Sequence, residues 1–472
     1  MSRLTSLGFV GAACCAVSVV AAPPSISGCQ IFPADHIFNT RIDSLPVHPH
    51  SVDFITRINS ATRKLHLDLG MSEDMKSSEY YGIPYNVVSG GAITWQPVFY
   101  TDGWPDESDC AKADHSFASP CVNVAQPLIP IPASPLVEGG IETNPANYGD
   151  HHILTLNKDS CVLWETYHSY PHIGGGWDIL SSARFDLKSN ALRPAGWTSS
   201  DAAGFPILPL LLRADEASSG EINHALRFTI QSSKIRNSYT WPATHLTNNG
   251  DNAETRPPMG QLFRLKADYV IPSTFNTQSK AILTALKRYG MYIADGGSDM
   301  YIQGEPSAKW EEVTISQVQS VPHTAFEAVD LSPVQRRTGF DVNSARVPPE
   351  DNGTGGTAAS FNGKVAGSSS SLTLDAHIDV AAADKGGNGQ LFVAAWVPVL
   401  RNFYALTSTG WRPVNGLEVP AHSSVLLGSH DIPILQGVNI AGLGDVVVYA
   451  GYGANVQDML NGKRYGQVYP PR

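Results

Sequence analysis

Four side chains stand where chemistry would use them: His152, Glu165, Glu216 and His224. In "GDHHILTLNKDSCVLWETYH", residues 149–168, two histidines head one apolar run and a glutamate ends the next. A two-residue loop at Lys158-Asp159 fixes a hairpin register. Leu154 then faces Leu163, Leu156 faces Cys161, and the face ends in a His152/Glu165 pair. In "GEINHALRFTI" the apolar face is Ile222, His224, Leu226, Phe228 and Ile230, with Glu221 and Arg227 on the other side. His224 therefore points inward, and "RADEASSG" offers Asp215 and Glu216 just upstream in a turn. Glycosidic hydrolysis uses two carboxyl groups, ~5–5.5 Å apart for retention and ~6.5–9.5 Å for inversion, the acid's pKa being raised by burial. Glu165 is read as the proton donor and Glu216 as base or nucleophile. The plain alternative is that Glu165 only pairs with His152 and Glu216 is a solvated turn carboxylate.

Tyr167, His168, Trp177, Arg227 and His245 are the expected substrate-binding residues. A lyase would divide the work differently, with Arg or His neutralising a uronate carboxylate while Tyr or His removes the neighbouring proton. Tyr167, His168, His172, Arg227 and His245 could supply those parts. Metal binding by His151, His152 and His224 lacks any diagnostic spacing, and no metal or other cofactor is expected. No GxSxG elbow, P-loop or strand–GxGxxG–helix unit is present. Asp295 and Asp299 in "ADGGSD" are read as hydrogen-bonding their own turn in preference to binding calcium.

The elements that position these residues read as β-rich. The chain has 472 residues with 42 Gly and 33 Pro, and 42% of its residues are hydrophobic against 16% charged, which suits short strands and tight turns around a large core. Strands are expected in "AITWQPVFY", "ARFDL", "HALRFTI" and "QLFRLKADYVI". The clearest helix is "NTQSKAILTALKRYG", with Ile282, Leu286 and Tyr289 on one face and Gly290 as its stop. The fold class is mainly β: a large β-sandwich or jelly-roll-like domain with few helices, and a smaller carboxy-terminal β-sandwich.

Four segments follow. Residues 1–21 carry Arg3, an apolar stretch and small residues at Ala21 and Ala22, which predicts an export signal. Residues 22–345 form the main domain. Residues 346–371, rich in Pro, Gly, Ser and Thr, form a linker that carries the glycosylation triplet starting at Asn352. Residues 372–472 form the accessory sandwich, where Leu372, Leu374, Ala376, Ile378 and Val380 alternate. Its Trp396, Tyr404, Trp411 and Tyr452 could stack on sugars but are read first as core.

Beyond the signal, Cys29, Cys110, Cys121 and Cys161 are even in number, and three pairings are possible in an oxidising compartment. Cys110–Cys121, closing a short loop, with Cys29–Cys161 is preferred over a zinc site, for which no CxxC spacing exists. The formal charge of −11, with basic residues scattered, argues against nucleic acid and anionic membranes. No segment is apolar for long enough to insert in a membrane. An extracellular polysaccharide is the expected partner.

The segments "GDHH", "CVLWE", "RPAGWTSSDAAGFPILPLLLRADE", "GEINHALRFT", "RPPMGQLFRLKA" and "ALKRYGMYIADGG" resemble a family of exported, mostly bacterial proteins of uncharacterised function, over about residues 29–330. The resemblance implies no activity. "GYGANVQDMLNGKRYGQVY" is similar to an accessory β-module appended to other exported proteins. The expected activity is that of a secreted polysaccharide-degrading enzyme, preferably a glycoside hydrolase. A lyase and a non-catalytic glycan-binding or matrix protein are the alternatives.

Overall fold

A computed structural model of the chain describes residues 22–58, 64–140, 149–247, 252–349, 359–381, 384–414 and 419–470. The expected signal and the Asn352 triplet lie outside the described residues. The protein is mainly β, with several sheets and short helices. It divides into two compact units, Met1–Pro348 and Pro349–Arg472.

In the first unit the hairpin of interest lies in a four-stranded sheet ordered Ser181–Asp186, Val162–Tyr167, Ile153–Asn157, Tyr85–Val88. Leu154, Leu156 and Leu163 on one face join the main core, while Ile153, Val162 and Trp164 on the other join a separate core with Val98, Ile129 and Ile179. A sheet covered on both faces explains why "ILTLN" and "VLWETY" lack clean alternation.

A second, mixed sheet supplies the opposing wall of the main core. Its six strands run in the order Phe326–Ala328, Leu262–Leu265, Met291–Gly296, Leu226–Ile230, Tyr301–Gln303, His66–Asp68. Leu226, Phe228 and Ile230 are buried in that core, as their alternation predicts. The helix Thr277–Arg288 packs beside Leu262–Leu265, starting with an Asn276 side chain that accepts from Ser279 N at 2.9 Å. Its Ile282, Leu286 and Tyr289 are buried. Gly290 follows at φ +76°, where a Cβ would stand 2.4 Å from the Phe263 carbonyl oxygen, so the stop is required twice over.

The second unit pairs a three-stranded sheet with a six-stranded one over its own core, in which Leu374, Ala376 and Ile378 are buried. Tyr452 is buried, and its hydroxyl donates to Asp384 at 2.7 Å, while Tyr404 and Trp411 pack partly against that core. Trp396 is half-buried, 5.0 Å from the Phe403 ring. One expectation is corrected here. The segment read as a linker contains the strand Ser360–Ser368, paired throughout with Ser371–Asp379. Phe361 and Val365 pack on the core, and Gly363 lets the strand Tyr465–Tyr469 pass, since a Cβ there would fall 1.7 Å from the Val468 carbonyl oxygen. The small residues serve close packing, and composition alone read them as slack.

Candidate functional site

The hairpin register differs from the expected one. Asn157 pairs with Val162, Leu156 with Leu163, and Leu154 with Glu165. The loop is four residues long, Lys158 to Cys161, because Cys161 adopts a left-handed backbone at φ +56° and joins the strand-end disulfide to Cys29. A shift of two positions keeps Glu165 on the inward face but removes His152 from opposite it. The expected His152/Glu165 pair is therefore replaced by two separate arrangements. Both expected disulfides, Cys29–Cys161 and Cys110–Cys121, are present.

Glu165 is fully buried and acts as a cap. Its carboxylate accepts from Ile207 N at 3.0 and 2.9 Å, from Leu208 N at 2.9 Å and from Ser200 Oγ at 3.2 Å. The Ile207 and Leu208 N–H groups are free donors at the start of the short helix Leu208–Leu210. Glu216 belongs to another network: it meets Arg213 at 2.7 Å and His224 Nε2 at 3.1 Å. It lies in the helix Ala214–Ser219, where a solvated turn had been expected. Burial raises its pKa, but Arg213 and His224 outweigh that and hold it near 2. The expected catalytic pair of Glu165 with Glu216 is not brought together: Glu165 is wholly sealed from solvent under the Ile207–Leu208 turn, and Glu216 lies in the separate Arg213/His224 network.

The mixed sheet and the hairpin sheet bring together a different set of groups. Asp68 ends its strand, Arg227 lies second in Leu226–Ile230, and Asp295 lies fifth in Met291–Gly296, on nearby strands of the mixed sheet. His152 immediately precedes Ile153–Asn157, fixed by Nδ1 to Glu138 Oε2 at 2.5 Å and by Nε2 to the Ser200 carbonyl at 2.8 Å. Glu138 N donates to the His152 carbonyl, and His168 N to the Asp150 carbonyl, so this loop stretch is laced to the hairpin.

Arg227 and Asp201 are both buried and meet at 3.0 Å through NH2 and 3.3 Å through Nε, at Asp201 Oδ2. Asp201 Oδ1 is buried and has no hydrogen-bond partner among the described residues. Asp295 accepts from Gly296 N at 2.6 Å within its own turn, as expected, and also from Ala202 N, a distant segment, at 3.2 Å. Asp299, expected to bond the same turn, instead accepts from Gln231 and Lys234.

Electrostatics divides these acids. Burial raises Asp201 to about 8, against the pull of Arg227. Burial also raises Asp295 and Asp68, although Arg227 opposes it. Burial works against the charge on His152, yet Glu138 more than compensates and raises it to about 9; Glu138 in turn is lowered despite its own burial. The cluster reaches the surface through exposed Asp150 and half-buried Asp295, Glu138, Tyr167, His168 and His245.

Several expected binding residues therefore gather here. His245 Nδ1 bonds the Ala202 carbonyl at 2.8 Å, and the Tyr167 ring lies 5.4 Å from that of His152 and 6.0 Å from that of His168. Trp177 packs against the separate core of the hairpin's outer face, and His172 bonds Asp178 at 3.0 Å. His224 lies in the Glu216 network, away from His152 in bonding, and the ring of His151 stacks on Tyr170 at 4.3 Å. Sequence reading passed over Asp68, Glu138, Asp150 and Asp201. Asp201 left one signal, an acid set within the apolar run of "SSDAAGFPILPLLLR". A cavity of about 340 Å³ lined by His48, His50, Arg236, Tyr239 and Gln261 shares none of these residues. Among the described residues no helix is long and apolar enough to cross a membrane. Comparison with protein families, with curated proteins and with solved structures finds no match.

Proposed function

We propose that the protein is a secreted polysaccharide-degrading enzyme, a glycoside hydrolase, whose carboxylate pair is drawn from the Arg227 cluster. One observation carries this reading: five carboxyl groups, those of Asp68, Glu138, Asp150, Asp201 and Asp295, converge on two cationic side chains, His152 and Arg227. Burial raises Asp201 to about 8 and pushes Asp68 and Asp295 up, so the cluster holds a proton near neutral pH beside the ionised Glu138. Stored protons beside ionised carboxylates are what acid–base cleavage of a glycosidic bond requires.

Asp295, half-buried at the mouth, is the proton donor to the leaving sugar oxygen. Arg227 orients Asp201, and its charge also acts on Asp295. The Glu138 side of the cluster receives the proton of the attacking water. A lyase is less well supported, because Arg227 is already bonded to Asp201 and is too deeply buried to meet a uronate. Two disulfides suit an oxidising compartment outside the cytoplasm and support secretion.

The test is to incubate the chain from Ala22 with a panel of neutral and uronic polysaccharides, following new reducing ends and ultraviolet absorbance. Reducing ends without absorbance are expected on at least one substrate. Asp295→Asn should lower kcat per folded molecule by about 100-fold or more. Absence of reducing ends throughout the panel, or full activity in Asp295→Asn, would overturn the proposal.

A further inference from the structure

The bonding of His152 raises a question that the hydrolase reading leaves open. Its Nε2 lies 2.8 Å from the Ser200 carbonyl, which can only accept, so Nε2 carries a hydrogen. Nδ1 then points at Glu138 Oε2, 2.5 Å away. A lone pair on Nδ1 facing a carboxylate is repulsive unless something positive lies between them. A proton is one solution. A metal ion is the other, and an imidazole whose far N–H is held by a backbone carbonyl is the usual posture of a metal-bound histidine.

Asp150 supplies a third donor. One ligand atom each from Glu138, Asp150 and His152 all lie within 4.8 Å of one another. Bonds of about 2 Å to a common ion place ligand atoms about 3–4 Å apart, so closure requires the Nδ1–Oε2 contact to widen and Asp150 to draw in. Asp150 is exposed, and with its carbonyl held by His168 N its side chain can draw in by rotation alone. A second observation points to an occupant. The Tyr80 hydroxyl is buried, has no hydrogen-bond partner among the described residues, and lies close enough to Glu138 to feel its charge. Asp201 Oδ1, similarly orphaned, lies in the field of His152.

We propose that Glu138, Asp150 and His152 Nδ1 bind a first-row divalent cation, Zn²⁺ or Mn²⁺. The imidazole nitrogen favours these ions over Ca²⁺ and Mg²⁺, which prefer an all-oxygen shell. On binding, the proton shared by Nδ1 and Glu138 passes to solvent and the ion takes its place. Three protein ligands leave a coordination position open for water, the pattern of sites that act on substrate. The role of that water in hydrolysis rests on the proposed function; binding of the ion does not, and is measured without substrate.

The experiment uses the untagged chain from Ala22, dialysed against chelator, then titrated calorimetrically with Zn²⁺, Mn²⁺ and Ca²⁺ and analysed for metal content. About one equivalent of Zn²⁺ or Mn²⁺ is expected in the wild type. Asp150→Ala, at an exposed position, should keep the chelated protein's melting temperature and weaken binding at least ten-fold; His152→Gln should abolish it. No bound equivalent in the wild type, Ca²⁺ binding alone, or unchanged affinity in Asp150→Ala would overturn the assignment. If His152→Gln fails to fold, Asp150→Ala decides. Loss of polysaccharide cleavage with metal binding intact would count against the hydrolase reading and leave the site standing.

Discussion

Glu165 and Asp201 are both buried carboxyl groups, and their surroundings demand opposite things of them. Glu165 meets three donors, two of them backbone N–H groups, whereas Asp201 meets one guanidinium through a single oxygen and leaves the other unbonded. A fully satisfied carboxylate builds structure, and a half-satisfied one is held in a costly state by the fold around it. Asp201 should therefore register in stability against pH. Its pKa rises from 3.8 in the unfolded chain to about 8 in the folded one. Between those values the folded state keeps a proton that the unfolded state has lost. This contribution is full below about pH 4, falls as pH rises and is gone above about pH 8. Urea unfolding at intervals from pH 4.5 to 8 should show wild-type stability declining more steeply with pH than that of Asp201→Asn. Parallel curves for the two proteins would show that Asp201 ionises normally.

At the scale of elements, the turn before Leu208–Leu210 depends on a residue from a distant strand. Ile207 and Leu208 offer N–H groups that nothing local caps, and Glu165 reaches them from the strand Val162–Tyr167. Glu165→Gln turns an amide toward two donors, so it should cost about 2–4 kcal/mol in chemical unfolding. Because the damage is to packing of the helix start, activity per folded molecule should change little at low denaturant. A large loss of kcat with unaltered stability would instead return Glu165 to the catalytic role. The inward face of the hairpin was legible from Leu154, Leu156 and Leu163, and so was His224 as a buried residue. The partner of Glu165 was not. Loop length sets register, and the four-residue loop depends on Cys161 taking a left-handed backbone, which its disulfide to Cys29 holds and no local turn signal announces. Glu138 and Asp150 were illegible for a different reason: they lie on irregular chain between sheets, where no period marks a facing direction.

Each unit has hydrophobic clusters of its own, a main core and a second one around Val98 and Trp164 in the first unit and the cluster of Leu374, Ala376 and Ile378 in the second. Every carboxylate of the Arg227 cluster, both disulfides and the Glu216 network belong to the unit Met1–Pro348. The composition changes near residue 346, a local loss of hydrophobic spacing that shows in sequence, whereas an ion cluster is assembled from segments as far apart as Asp68 and Asp295. Two units, each packed on its own core, imply two unfolding events. Calorimetry of the full chain should resolve two transitions, and reduction of the disulfides should lower the one belonging to the first unit, since Cys29–Cys161 spans 132 residues and is worth about 5 kcal/mol in chain entropy. The second unit, with no cysteine, should melt at the same temperature in either state. A single transition that moves as one on reduction would mean that the units fold as one cooperative body, and the Arg227 cluster would then depend on the carboxy-terminal sandwich for its stability.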